Sequence, residues 1–355
     1  MISEYLSKKL HFLSAFLLLF VIMSHSFNIG TRITNIVPSE INLAIQSIMS
    51  YGFCLIAVPV YFMASGLFFF KGQNQYPLSS YRKKLSGRVN SLLIPYLLTS
   101  GIVILFFYAI QSIPAIKPLF NNELITDKSF GELIESWLLY PRAYHLWYIR
   151  NLIVVTIISP LIFLLIKRGG LFYLIPVIIL WIFFSTDIPF HIPRTLAMFS
   201  IGAFISIKGI KLGIHKNKTL LIAISSLWVV LACLQYFCFA KDTLYQLVFV
   251  NISILIGVVA IWLIYDYFYE PISKSFGFFE KYIYPFSFFI FLFHEPVLTI
   301  VIKLMILMFG SSNPASLTIY FIAPVFTFLI CWFIAVFAKR YLTYFYRLVT
   351  GSRNK

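Results

Sequence analysis

Long apolar runs separated by short polar segments pattern this chain from end to end. They fall at residues 10–30, 50–70, 92–113, 146–166, 171–186, 193–208, 219–239, 244–265, 283–308 and 316–338. A membrane-crossing helix needs about 20 mostly apolar residues. The fifth and sixth runs are shorter and carry or adjoin Pro176, Pro189 and Pro193, so they are the least regular. The pattern predicts an all-α, polytopic membrane bundle of about ten transmembrane helices, folded as a single domain over residues 1–355.

Composition agrees: the chain is 60% hydrophobic and 11% charged, against about 25% charged in soluble domains. The net charge of +16 sits between apolar runs, so topology and contact with anionic lipid headgroups explain it without nucleic acid. Basic residues gather in alternate loops: Lys8 and Lys9; Lys71, Arg82, Lys83, Lys84 and Arg88; Lys167 and Arg168; Lys208 to Lys218; Lys274 and Lys281; and Lys339 to Lys355. By the positive-inside rule both termini are expected in the cytoplasm. The first run resembles a signal peptide, but it continues into Ser24, His25 and Ser26 without a small-residue cleavage pattern, so an uncleaved first span is expected. Cys54, Cys233, Cys238 and Cys331 have no CxxC or histidine spacing, so neither a disulfide framework nor a metal site is expected. The segment 114–145, with Glu123, Asp127, Glu132 and Glu135, is too long for a simple connection. No nucleotide-binding loop, nucleophile elbow or HExxH motif occurs, and nothing points to ATP-driven transport.

Titratable groups inside hydrocarbon are expensive and therefore informative. His25 lies roughly 22 Å beyond Leu10 at 1.5 Å per residue, in the outer half of the first span. It reads either as a packing histidine bonded to a neighbouring span or as a general base, kept neutral by desolvation. Arg150, in the outer third of the fourth span, reads as an interfacial anchor, or as a group that stabilises an oxyanion or grips an acceptor sugar. His145 and Trp147 flank it as candidate substrate contacts, although an aromatic belt also explains Trp147. Ser287, His294 and Glu295 share the ninth span with Pro296, which frees a backbone carbonyl that then needs a partner. They form either a polar knot at a kink or a group that orients His25 or pairs with Arg150. Arg82, Lys83, Lys84 and Arg88 form a cytoplasmic basic run that reads as topogenic, lipid-binding, or a cradle for the phosphates of a donor such as acyl-CoA.

Five segments in order resemble the signatures of the acyltransferase family 3 membrane proteins. They are Val21 to Ser26, Ala57 to Gly66, Arg88 with Leu92 to Tyr96, Leu146 to Arg150, and Phe291 to Val297, which together span nearly the whole chain. The resemblance implies ten or so spans and transfer of an acetyl or other acyl group from a cytoplasmic donor to extracytoplasmic glycans or lipids. It also implies that the histidine matching His25 is catalytic. Members often carry an arginine eleven residues before that histidine and another three after the position of Arg88; here those positions are Ser14 and Ser91.

The sequence reading is therefore an integral O-acyltransferase of the bacterial cytoplasmic membrane. Acyl-CoA, in the first instance acetyl-CoA, is the expected co-substrate, with no permanently bound cofactor or metal, and a glycan or lipid-linked saccharide is the acceptor. A buried His, Glu and Arg set also suits proton-coupled export of a saccharide, the main rival reading, and a non-catalytic assembly protein is the third.

Overall fold

The computed structural model describes residues 4–29, 38–73, 75–115, 117, 120, 124–184, 191–237 and 244–351. Glu123, Pro189, Cys238 and Lys355, named above, lie outside the described residues. Everything regular among the described residues is helical. In chain order the elements are α1 (Glu4–His25), α2 (Glu40–Phe69), α3 (Leu78–Gln111), α4 (Phe130–Leu138), α5 (Tyr144–Ile157), α6 (Ser159–Gly169) and α7 (Leu171–Phe184). They continue as α8 (Ile192–Ile207), α9 (Lys218–Tyr236), α10 (Leu244–Tyr267), α11 (Phe276–Phe309), α12 (Asn313–Tyr341) and α13 (Thr343–Thr350).

Seven described helices are long and apolar enough to cross a membrane, and eight segments are if the bent α5–α6 pair counts as one. The expected straight span over 146–166 is instead bent by 63°. Pro160 explains the break, since it has no N–H to donate and disfavours helical backbone at Ser159. The two short runs fold as α7 and α8, below the length of a straight crossing.

Three stretches widen into π-turns, at Ile48–Phe53, Val89–Leu93 and Phe279–Ile283. The second and third lie just N-terminal to Pro95 and Pro285, whose rings would clash with the carbonyls of Ser91 and Lys281 in a regular helix, whereas the first is followed by a 3-10 turn at Cys54–Ile56 before Pro59. Widening the turn accommodates that clash, and such bulges recur at functional sites.

Helix α1 runs through the bundle against α2, α11 and α12. Its lower end is tied to α10 by a fully buried ion pair, Lys9 Nζ to Asp266 Oδ1 at 2.5 Å. Lys9 also donates to the Trp262 carbonyl at 3.0 Å and lies 3.7 Å from the Trp262 ring centroid. The Tyr5 hydroxyl and the His215 backbone N–H complete the Asp266 carboxylate. Lys9, expected to be a surface topology signal, is therefore an internal fastener.

The end of α1 that carries His25 is fixed by an amide network. Ser26 Oγ donates to the Tyr320 carbonyl at 3.0 Å, and Asn28 Nδ2 to the Ser316 carbonyl at 3.0 Å. Gln46 Nε2 reaches Asn28 Oδ1 at 3.2 Å, Asn42 Oδ1 at 2.9 Å and Ser316 Oγ at 3.1 Å. Satisfied buried amides of this kind rigidify a core, because the alternative is an unpaired polar group. Helices α2 and α8 meet through Gly66 and Gly202, which leave room for backbone against backbone.

Part of the long segment 114–145 is also ordered into α4, opened by a reciprocal capping box between Ser129 and Glu132. Trp137 Nε1 donates to the Leu97 carbonyl at 2.8 Å and Tyr96 Oη to the Leu138 carbonyl at 2.9 Å, which pin α4 onto α3.

Candidate functional site

A cavity of about 420 Å³ opens among α1, α2, α3, α5 and α11. Its polar lining includes His11, Ser14, Arg88, Ser91, Ser287 and Thr350. Ser14 and Ser91 thus line the same space as Arg88. The π-turns before Pro95 and Pro285 bring Ser91 and Tyr284 to this wall. Within this lining the His11 ring stacks on Tyr284, with centroids 4.2 Å apart.

Of the basic run, Arg88 lines the cavity while passing over the Phe69 ring at 5.4 Å. Lys84 donates to the Phe69 carbonyl and covers the Phe69 ring at 4.9 Å. Arg82 and Lys83 are exposed. The four cations do not converge on one point: only Arg88 faces the interior.

Phe291 and Tyr148 also line the cavity, and their rings meet with centroids 5.5 Å apart. Phe291 borders a group of three histidines. His145 and His294 have ring centroids 4.4 Å apart, and His294 stacks on His25 at 5.7 Å with planes within 19°. Phe291 touches His145 at 5.5 Å and His294 at 5.9 Å. The Tyr144 ring stands edge-on to His25 at 4.9 Å. Its hydroxyl faces Glu295, whose Oε2 accepts a hydrogen bond from Thr299 Oγ1 at 2.9 Å.

Backbone chemistry fixes two of the tautomers. Pro296 has no N–H, so the Leu292 carbonyl four residues earlier lacks its helical donor. His145 fills that vacancy, with Nε2 3.1 Å from the Leu292 oxygen. His294 Nδ1 lies 2.7 Å from the Phe291 carbonyl. A carbonyl only accepts, so both nitrogens carry protons, and in the neutral rings His145 Nδ1 and His294 Nε2 are the acceptors. Both of these acceptor atoms are buried and unpaired among the described residues. His145 and His294 are buried, whereas the His25 ring is half-buried and makes no hydrogen bond among the described residues. An imidazole held in place by ring contacts, with its nitrogens uncommitted, is available to take a proton from a substrate hydroxyl.

The structure thus brings together His25, His145, His294 and Glu295. Arg150 is turned to another face, where it donates to the Leu139 carbonyl and to Asn151 Oδ1. Trp147 packs on Phe62 at 5.9 Å and on His191 at 4.9 Å. Tyr144 and Thr299 went unnoticed in the sequence. Tyr144 adjoins His145, and Thr299 follows Glu295 by one helical turn, spacings too common to stand out without a structure.

Among the described residues no group of three or more histidine, cysteine, aspartate or glutamate side chains is arranged to hold a metal ion. Cys54, Cys233 and Cys331 are free thiols. No curated protein and no solved structure matches the chain. A family model described as an acyltransferase domain matches residues 8–336. With apolar helices throughout and that match over nearly its full length, the chain belongs to acyltransferase family 3 and is an integral membrane acyltransferase that transfers groups other than aminoacyl groups.

Proposed function

We propose that the protein is an O-acyltransferase of the bacterial cytoplasmic membrane, crossing it about ten times with both termini in the cytoplasm. It moves an acetyl or other short acyl group from cytoplasmic acyl-CoA to a hydroxyl of an extracytoplasmic or lipid-linked glycan, as in modification of a cell-envelope polysaccharide. The observation that carries this reading is His25 itself, which makes no hydrogen bond among the described residues and stacks on His294, the ring next to Phe291 of the cavity wall that also includes Arg88.

In this mechanism a His25 nitrogen takes the proton of the acceptor hydroxyl as its oxygen attacks the thioester carbonyl. The tetrahedral intermediate collapses, the C–S bond breaks, and the imidazolium returns the proton to the departing thiolate. His294, stacked on His25, fixes the plane of the ring. Tyr144 brings a hydroxyl to the same place, with Glu295 and Thr299 behind it. Arg88 is the cavity cation best placed to meet a phosphate of the donor, with Arg82, Lys83 and Lys84 adding positive potential at the rim. The bonds Arg150 makes on the far side of α5 favour contact with the acceptor over stabilisation of the oxyanion.

Mass spectrometry of surface glycans with and without the gene tests the reading and identifies the acyl group. Loss of an ester with the glycan retained is expected. Loss of the glycan itself would point to an exporter.

A further inference from the structure

Helix α13, the last described helix, lies outside the residues 8–336 that the family model matches. Its residues Tyr346, Val349 and Thr350 stand at positions i, i+3 and i+4, hence on one face, and all three are buried. Tyr344, Arg347 and Leu348 are exposed. A helix of 8 residues has little stability of its own, so the partners of its buried face hold it in place.

Those partners are the segments of α11 and α3 around two of the π-turns. On the α11 side, Tyr346 Oη donates to the Pro285 carbonyl at 3.0 Å. Its ring stacks on Phe289, with centroids 5.6 Å apart and planes within 19°. Tyr284 and Pro285, which follow the π-turn Phe279–Ile283, both line the cavity. On the α3 side, Gly351 caps α13 in the left-handed region, at φ 66°, against the π-turn Val89–Leu93. A Cβ there would lie 2.5 Å from the Asn90 carbonyl oxygen and 2.6 Å from Ser91 Cα. Glycine alone suits both the conformation and the gap. Between the two anchors Thr350 lines the cavity itself, its hydroxyl donating to the Tyr346 carbonyl at 2.7 Å.

The α3 anchor matters because of what that turn carries. Arg88 immediately precedes it and Ser91 lies within it, and both line the cavity. A widened turn gives up the regular helical pairing, so its position depends on what packs against it. Gly351 rests directly on its backbone.

We propose that α13 is a positioning strap for the donor: by tying the Pro285 carbonyl of α11 to the Asn90–Ser91 backbone of α3, it sets the spacing of two cavity walls and holds Arg88 towards a phosphate of CoA. Tyr346 and Gly351 act through Arg88 and touch no donor atom. The identity of the ligand rests on the donor reading above.

The test titrates CoA into full-length protein in detergent and follows the heat of binding, which returns affinity and the fraction of competent protein separately. Partial unfolding lowers the second and leaves the first. The wild type is expected to bind CoA, and Arg88→Gln to bind about tenfold more weakly or worse, as for loss of a charge-assisted contact. Gly351→Ala should also weaken binding by about tenfold, because it displaces the turn that carries Arg88. Tyr346→Phe keeps the ring, loses only the hydroxyl, and carries the test should Gly351→Ala fail to fold; a loss of about threefold is expected. Adding either change to Arg88→Gln should cost less than about twofold more, since the strap works through that arginine. His25→Ala should bind like the wild type. Wild-type affinity in the α13 variants, or losses that add fully to that of Arg88→Gln, overturns the strap and leaves the donor reading standing. A wild type that does not bind CoA, or an Arg88→Gln that binds it equally well, removes the donor reading and the strap with it.

Discussion

Replacing Gly202 with alanine puts a methyl carbon 1.9 Å from the Met63 carbonyl oxygen and 2.8 Å from both Met63 C and Leu67 N. All three atoms are α2 backbone, so no rotamer change can relieve the overlap. The shortfall from ordinary van der Waals contact is about 1.5 Å, and α2 and α8 must separate by a comparable distance. Overpacking generally costs about 1–3 kcal/mol, and a clash against rigid backbone belongs at the upper end. Gly66→Ala meets the same interface from the other side, 2.1 Å from the Phe199 oxygen, and should cost a similar amount. The double variant should cost less than the sum, since both methyls occupy one opened gap. Because α2 also contributes Tyr61, Ala64, Ser65 and Phe68 to the cavity wall, acyl transfer should fall along with stability. Thermal melting of the purified protein, read by Trp fluorescence, should show losses of roughly 5 °C or more. Exposed Gly87, with nothing within 4 Å of an added Cβ, is the control. Gly87→Ala should be neutral, or stabilise by about 0.5–1 kcal/mol. A Gly202→Ala protein that melts within a degree of wild type would refute the close helix crossing.

Three further perturbations follow from the same contacts. Lys9→Met strands the buried Asp266 carboxylate and should cost about 3–5 kcal/mol, whereas Lys9→Met with Asp266→Leu should recover most of the loss in the same melting assay. His145→Ala leaves the Leu292 carbonyl without a partner and should cost about 1–3 kcal/mol; Pro296→Ala restores a helical donor there, so a double-mutant cycle should show strong coupling between the two. Ser14→Arg and Ser91→Arg direct a long cation into the cavity beside Arg88, and should leave melting nearly unchanged while altering the Michaelis constant for acyl-CoA. Severe destabilisation by both would mean that the cavity is too small to hold the donor.

Much of the fold was legible because lipid enforces a simple rule: backbone polar groups must pair within the segment, so apolar runs become helices. Each of the ten apolar segments is mostly helical over its described residues, seven helices being long and apolar enough to cross a membrane, and the freed carbonyl expected at Pro296 is present and taken by His145. Length alone concealed the 63° break at Ile158, because a proline within an apolar run marks either a kink or a helix start. The pairing of Lys9 with Asp266 was hidden for another reason. Each reads as an ordinary loop charge, and only the packing of α1 against α10 brings together groups 257 residues apart. His25, His294 and Glu295 stood out because each interrupts hydrocarbon. Ser14 and Ser91 first appeared only as departures from the family pattern, and their shared cavity wall with Arg88 is a structural finding.

The account turns on His25 as the group that takes the proton from the acceptor. The most direct test measures transfer from labelled acetyl-CoA to an envelope glycan by membranes containing His25→Ala, with protein level and melting temperature matched to wild type. A fall of about 10²-fold or more is predicted, in line with the loss of a general base. Transfer at the wild-type rate in a folded, membrane-inserted His25→Ala protein would contradict it.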